Sequence, residues 1–251
     1  MPNQDAVRCA DVAAPFCGLV AAVADGHGGR PYVRSGLGAH LAVALACEVG
    51  TAAVGYLGSG PDESSIRTQL SGPVVEGLVL RWRAQVTAHL GNHPFSTEEF
   101  AHAGAALTAD PHLAYGCTVL VGLFGPDWVG LVQIGDGDIT VVRGELTSAP
   151  IPADDRLVGG QTTSLALPSA MSDARVAAIT GQLPELVVLT SDGYGNSFVS
   201  PDWQQDVGTD LAALARRNGL EPLAEQLPGW LAESSVASGD DVTMALVHRR
   251  G

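Results

Sequence analysis

The chain has 251 residues, 13 Lys+Arg against 27 Asp+Glu, a formal net charge of −14 and 46% hydrophobic content. At about 150 residues per domain the length holds one large domain or two small ones, and the apolar fraction excludes long-range disorder. Acidity of this size excludes a protein that coats nucleic acid or anionic membrane by charge, and it suits one that gathers cations. All 13 basic residues are arginine, which suggests a GC-rich bacterial genome. Cys9, Cys17, Cys47 and Cys117 lie far apart with no CxxC pair, which excludes a disulfide framework and a thiolate zinc site. They are expected to be small core residues of a cytoplasmic protein.

In chain order, Val7 to Asp11 and Gly18 to Ala24 predict two short strands joined by a turn near Pro15. Val12 to Ala24 lacks the positive flank of a signal peptide, because Asp5 and Asp11 outweigh Arg8. A helix is expected from Ser35 to Tyr56. The apolar run Gly36 to Gly58 is long enough to span a bilayer, but His40 and Glu48 favour a core helix. A second helix covers Ser64 to Leu90, kinked or broken at Gly72-Pro73, and a capping box of Ser96 and Glu99 opens a third over Thr97 to Leu107. Thr118 to Phe124, Trp128 to Ile134 and Ile139 to Arg143 then read as an antiparallel meander. Ser148 to Met171 is a loop excursion with a short strand at Thr162 to Leu167. Strands follow at Val176 to Thr180 and Leu186 to Thr190, helices at Gln204 to Arg217 and Pro222 to Ser234, and a last strand at Val242 to His248. No repeat or long linker divides the chain, so an α+β layered single domain over residues 1–251 is expected.

The acids fall where strands end. Asp5, Asp25, Asp136, Asp192 and Asp240 each sit at a predicted strand end or the adjacent turn, and the last four neighbour glycine. Asp-Gly is a common turn dipeptide, which accounts for any one of them. Strand ends converge in a sheet, however, and five clustered carboxylates repel unless a cation joins them. Oxygen ligands without a cysteine or multi-histidine set favour Mg²⁺ or Mn²⁺ over zinc. In Ala22-Val23-Ala24-Asp25-Gly26-His27-Gly28-Gly29 an apolar strand delivers Asp25, and a glycine-rich turn then exposes His27, a plausible proton donor. The spacing is not GxGxxG, and a chain without lysine holds no P-loop, so nucleotide binding is disfavoured. His40, His89, His93, His102, His112 and His248 show no ligand spacing and read as structural or surface. Asp154-Asp155 reads as solvated. Trp82, Trp128, Trp203 and Trp230 read as core anchors.

The chain resembles the metal-dependent protein phosphatases, the type 2C Ser/Thr family, in its bacterial branch. The resemblance lies in Asn3-Gln4-Asp5-Ala6, Val23-Ala24-Asp25-Gly26-His27-Gly28-Gly29, Gly116-Cys117-Thr118, Ile134-Gly135-Asp136-Gly137-Asp138, Leu189-Thr190-Ser191-Asp192-Gly193 and Gly239-Asp240-Asp241-Val242-Thr243. These segments stand in the family's order and cover essentially the whole chain. The resemblance implies a four-layer α-β-β-α sandwich, two antiparallel sheets flanked by helices, with two Mn²⁺ or Mg²⁺ ions in a cleft at one end. It implies that Asp25 bridges both metals, that Gly26 offers its carbonyl, that Asp192 and Asp240 are ligands, and that Asp5 acts through water. Asp136 with Asp192 would form a weaker third site, and Asp138 and Asp241 would support the ligands. It further implies a hydroxide nucleophile held between the two metals and His27 protonating the leaving alkoxide, with phosphorylated proteins as substrates, an opposing Ser/Thr kinase, a monomeric state, a cytoplasmic location and a role in signalling. Neither nucleic acid nor membrane is an expected partner.

Three positions depart from the family's pattern. An arginine that grips the substrate phosphate a few residues before the acidic pair has no counterpart between Met1 and Asp5. A start upstream, replacement by Arg30 or another residue, and phosphate binding by metals alone remain open. Gln4 stands where many members carry glutamate. Asn196, four residues after Asp192, replaces an acid that supports the third metal. The alternative reading is a catalytically weak or inactive phosphatase-like binding module, which the missing arginine favours and the retained Asp25, Asp192 and Asp240 oppose. A third is a phosphatase of small phosphometabolites.

Overall fold

The apolar runs near the N-terminus form strands β1 (Ala6–Val12) and β2 (Gly18–Ala24), paired antiparallel with Ala6 opposite Ala24. The computed structural model describes residues 3–14, 17–154, 156 and 162–249, so the turn expected near Pro15 lies outside the described residues. Helix α1 (Ser35–Leu57) follows, then α2 (Glu63–Gln69), a π-helical turn at Leu70–Val74, and α3 (Val75–Asn92). Pro73 lies inside that π turn. Proline removes one N–H and crowds the preceding turn, and a wider turn absorbs both, so the helix continues instead of breaking.

The capping box forms as expected: Ser96 Oγ accepts from Glu99 N–H at 3.1 Å, and Glu99 Oε2 accepts from Ser96 N–H at 2.7 Å. Helix α4 (Thr97–Ala103) ends short of Leu107, because Gly104 takes a φ of 70° and closes it. A separate turn, α5 (Ala106–Ala109), and a 3₁₀ turn at Pro111–Tyr115 lead into the sheets.

The remaining elements are β3 (Val119–Phe124), β4 (Trp128–Ile134), β5 (Asp138–Arg143), β6 (Leu146–Ser148), α6 (Ala170–Asp173), β7 (Arg175–Thr180) and β8 (Leu186–Thr190). After them come α7 (Asp192–Gly195), α8 (Trp203–Asn218), α9 (Leu220–Ser238) and β9 (Met244–His248). All strand pairs are antiparallel. One sheet has the order β1-β2-β3-β4-β7 and the other β6-β5-β8-β9. The strand expected at Thr162–Leu167 does not form. Thr163 and Ser164 turn their hydroxyls to the backbone of Gly135 and Cys117, and Leu165 makes one N–H bond to Cys117 O. The last strand starts at Met244 and not Val242, because Thr243 is tied to Ser191 through both its N–H and its carbonyl.

Period-two alternation divides β2 between two cores. Val20, Ala22 and Ala24 pack under α1 and α3 with Trp82, while Ala21 and Val23 face the second sheet with Leu120 and Leu189. Both faces of β3 and β4 are therefore covered, which explains why every residue in them is buried. Leu211, Ala212 and Leu223 seal the outer face of the second sheet beneath α8 and α9. The result is the expected α-β-β-α layering. Helix α1 is long and apolar enough to cross a membrane, yet Ala39, Ala42, Ala46 and Ala53 are buried against the first sheet and α3.

Trp82 and Trp128 are fully buried, whereas Trp203 and Trp230 are half-buried against the second sheet's helices. Two of the four cysteines do not match the core expectation. Cys47 and Cys117 are buried, but Cys9, on the edge strand β1, and Cys17, just before β2, are exposed. All four are free thiols.

Candidate metal centre and active-site cleft

Asp25 ends β2, and its backbone is clamped to the start of β3. Thr118 N–H donates to Asp25 O at 2.8 Å, and Asp25 N–H donates to Thr118 Oγ1 at 3.2 Å. Asp5 lies just before β1 and is 7% exposed. Its Oδ2 accepts from Ser191 Oγ at 2.8 Å, and Ser191 Oγ in turn accepts from Thr243 N–H at 2.9 Å. Asp192 opens α7 directly after β8, Asp240 follows α9, and Asp136 sits in the β4–β5 turn. Gln133 Nε2 shapes that turn by donating to the carbonyls of Gly135 and Gly137 at 3.2 and 2.6 Å.

The glycines beside the acids serve close approach, since neither Gly26 nor Gly193 has a positive φ. A Cβ on Gly26 would lie 2.6 Å from Gln4 O, and one on Gly193 would lie 2.2 Å from Asp241 O. Bare backbone at these points lets the acid-bearing turns touch one another.

Asp25, Gly26, Asp136, Asp192, Asp240 and His27 line one cleft of about 910 Å³ at the end of the sandwich. Asp5 lies behind them, beside Asp25. Burial, and after it the charges of Asp5 and Asp192, push the Asp25 carboxyl up to about 10. Burial also raises Asp5 and Asp192. Asp138 is pushed up to about 6 by burial and then by Asp192 and Asp136, although Gln204 Nε2 donates to it at 2.7 Å.

Among the described residues no three acidic, histidine or cysteine side chains are already gathered into a ligand cage. The chemistry of the cleft nonetheless fits hard divalent cations. Asp5 Oδ1 and Asp192 Oδ1 are buried acceptors without a hydrogen-bond partner, and the donor set is entirely oxygen. Asn196 Nδ2 donates to the other oxygen of Asp192 at 3.1 Å. Gln4 uses its amide to donate to Ser35 Oγ at 2.6 Å, and its backbone N–H donates to Asp241 Oδ2 at 2.7 Å.

His27 enters the cleft from the loop between β2 and α1. Burial lowers its imidazole to about 4, against the pull of Asp136, so the ring is neutral at pH 7 and carries one N–H donor. Arg30 is exposed further along this loop and does not line the cleft. Asp154 is paired with Arg156 at 2.6 Å instead of being solvated, and Asp155 lies outside the described residues. Of the remaining histidines, His40 bonds its own helix at Gly36 O, and His89 and His93 stack at 4.4 Å on α3.

The loop is anchored at its far end by Arg34. Its guanidinium donates to Glu99 Oε1 and Oε2 at 2.6 and 2.9 Å and to Tyr115 Oη at 2.8 Å. The Arg34 hydrogen bond holds Glu99 down at about 2. A depressed carboxylate stabilises the fold above its unfolded value of 4.5, and the contribution disappears as pH falls through about 2. Glu99→Gln is therefore expected to cost about 1 kcal/mol at pH 7, as befits a pair that solvent still screens in part. In urea melts the gap between variant and wild type should narrow below the carboxyl's ordinary 4.5 and close at about pH 2; a gap independent of pH would remove the ion pair as its cause.

Sequence reasoning missed the roles of Ser191, Thr118, Thr163 and Gln133, which brace the acid-bearing turns. The available signal was a lone polar residue in an apolar strand: Gln133 is 5% exposed inside β4.

Comparisons with known proteins agree with this architecture. A bacterial serine phosphatase superposes with a TM-score of 0.64 at 13% identity, covering 100% of this chain and 93% of that one. The Mycobacterium tuberculosis serine/threonine phosphatase PstP/Ppp gives a TM-score of 0.54 at 19% identity, with 99% and 93% covered. The catalytic domain of the serine threonine protein phosphatase PstP in complex with 2 manganese ions gives 0.50 at 17% identity, with 96% and 95% covered. No curated protein sequence matches the chain. The family model for protein phosphatase 2C matches residues 1–232, which contain every acid gathered at the cleft except those of the 240–241 turn, and the chain thus belongs to the protein phosphatase 2C family.

Proposed function

We propose that this chain is a divalent-cation-dependent phosphatase acting on phosphoserine and phosphothreonine in proteins, opposing a Ser/Thr kinase in the cytoplasm. The observation that carries the reading is the meeting of carboxylates from positions 5, 25, 136, 192 and 240 around one cleft, two of them with buried oxygens that lack any partner. Charges so placed are costly in an empty site, and a scaffold gains nothing by keeping them.

Asp25, flanked by Asp5 and Asp192, would be the central ligand of two Mn²⁺ or Mg²⁺ ions, with the Gly26 carbonyl, Asp192 and Asp240 completing the set and Asp136 beside a weaker third position. When bound, such ions neutralise charge on the phosphoryl group and make water a nucleophile at neutral pH. The chain's own part is positioning. Thr118 fixes the backbone of Asp25, Ser191 fixes the Asp5 carboxylate, and Gln133 fixes the turn that carries Asp136. In the reaction the oxygen of water bonds to phosphorus and gives up one proton to solvent, the ester P–O bond breaks, and the departing alkoxide takes a proton. His27 is the group placed to supply it, since the dianionic phosphate raises the proton affinity of the imidazole as Asp136 already does.

One observation favours the binding-module reading: no arginine stands among the described residues that line the cleft, so phosphate would meet no guanidinium there. Phosphate release from a phosphothreonine peptide and from sugar phosphates, with Mn²⁺, Mg²⁺ or EDTA, decides between the two. Metal-dependent turnover of the peptide is expected. Tight peptide binding without release would establish the module. His27→Ala should cut peptide turnover by about 10²-fold, as loss of a general acid does, and spare p-nitrophenyl phosphate, whose leaving group needs no proton.

A further inference from the structure

We propose that Tyr32 is the residue that positions His27 for proton delivery, a role resting on the reading of His27 given above. Packing orients the imidazole: the His27 and Tyr32 rings meet edge to face, with centroids 5.0 Å apart and planes at 68°, and both line the cleft. Gly116 forms the floor beneath them. A Cβ there would lie 2.9 Å from His27 Cδ2 and 2.9 Å from Tyr32 Cδ1 and Cε1. The Gly116 backbone has φ −51° and ψ 131°, which any residue adopts, so glycine serves this position by leaving room for the two rings.

The backbone on either side is fixed. His27 N–H donates to Gly116 O at 3.0 Å, and Arg34 N–H donates to Ala114 O at 2.7 Å, so both ends of the loop are tied to the 111–116 segment. Between them Gly28 and Gly29 are exposed and a Cβ at either would meet nothing within 4 Å. Tyr32 N–H donates to Gly29 O at 3.2 Å, closing a turn that brings the Tyr32 ring back against His27, while the backbone bonds alone leave the rotation of the imidazole unset. Tyr32 supplies a wall through its ring, and among the described residues its hydroxyl makes no hydrogen bond to His27, so a phenyl ring serves as well. An imidazole displaced by about 1 Å loses in-line proton delivery at a cost of ten- to a hundredfold.

The test compares Tyr32→Ala, Tyr32→Phe and His27→Ala on a phosphothreonine peptide and on p-nitrophenyl phosphate, both with saturating Mn²⁺. Tyr32→Ala should lower kcat on the peptide by at least about tenfold, with KM and p-nitrophenyl phosphate turnover within about twofold of wild type. Tyr32→Phe should match wild type on both. Gly116→Ala, which presses on both rings without straining the backbone, should shift the same ratio in the same direction. Equal losses on both substrates, or full peptide turnover in Tyr32→Ala while His27→Ala is impaired, would overturn the role of Tyr32 and leave that of His27 standing. Full peptide turnover in His27→Ala would overturn both, but not the metal-dependent reaction. A readout independent of activity comes from the His27 ring protons in NMR spectra: their ring-current shift should vanish in Tyr32→Ala and persist in Tyr32→Phe. Unchanged His27 resonances in Tyr32→Ala would refute the contact even in an inactive protein, and an unaltered Mn²⁺-induced thermal shift in that variant separates ring positioning from damage to the metal ligands.

Discussion

Asp25→Asn should abolish metal-dependent phosphopeptide hydrolysis and, in the same protein, raise the melting temperature of the metal-free form. The first effect follows from its place between Asp5 and Asp192. Removing the central carboxylate forfeits several kcal/mol of charge stabilisation, a rate loss of about 10³-fold or more. The second follows from the same neighbours. The unfolded chain ionises Asp25 near its ordinary 3.8, while burial and two adjacent carboxylates push the folded value to about 10. A carboxyl raised in this way destabilises the fold increasingly as pH climbs between those values, and not at all below the lower one. Asparagine removes that difference, so the gain should be larger at pH 8 than at pH 5. A few kcal/mol of relieved repulsion corresponds to about 5–10 °C in a chain of this size. Differential scanning fluorimetry in EDTA at both pH values, beside turnover in Mn²⁺, checks the two halves. A metal-free variant less stable than wild type would mean the carboxylates do not oppose one another as their placement implies.

Gly38→Ala is the second change expected to have a large effect, here on stability. Helix α1 crosses the 3₁₀ turn Pro111–Tyr115 at Gly38, where an added Cβ would sit 1.8 Å from the Tyr115 carbonyl oxygen. Backbone lies on both sides, so neither side chain can give way. Trp82, fully buried, donates from Nε1 to Gly38 O at 3.0 Å and ties the helix to α3. Overpacking at such a crossing costs about 3 kcal/mol, or on the order of 10 °C. The residue after Tyr115 is Gly116, on which His27 and Tyr32 rest, so the strain should also lower peptide turnover at temperatures where the variant is still folded. A melting temperature within about 2 °C of wild type would show that α1 and the turn can separate freely.

The sequence pattern carried most of the frame because the two cores impose strong periodicities. The split of β2 between Ala21 and Val23 on one face and Val20, Ala22 and Ala24 on the other is visible as a short apolar run bounded by turn residues. The convergence of the acids was legible for the same reason, since strand ends in stacked antiparallel sheets meet at one edge. What the sequence did not disclose is set by contacts between distant segments. Thr162–Leu167 has strand-forming residues, but Cys117 and Gly135 take its hydrogen bonds singly and no ladder forms. Gly72-Pro73 signals a kink or break, but not that the turn widens to a π turn packed against β4 and β7 so that the helix continues. The role of Gly26 and Gly193 was also hidden, since Asp-Gly reads as turn chemistry when the structure uses it for backbone contact between turns.

The central claim is that carboxylates far apart in the chain share divalent cations and that hydrolysis depends on those ions. Its most direct measurement is Mn²⁺ titration of wild type and Asp192→Ala, following melting temperature and phosphothreonine-peptide turnover in the same samples. Asp192 keeps one buried oxygen without a partner, so on this account its removal deletes a ligand while the side chain gives up only the hydrogen bond to Asn196. The account predicts that Mn²⁺ raises the wild-type melting temperature and switches on turnover over one concentration range, and that both responses weaken by at least about tenfold in Mn²⁺ affinity in the variant. Wild-type turnover that persists in EDTA, or a Mn²⁺ response identical in Asp192→Ala, would contradict it.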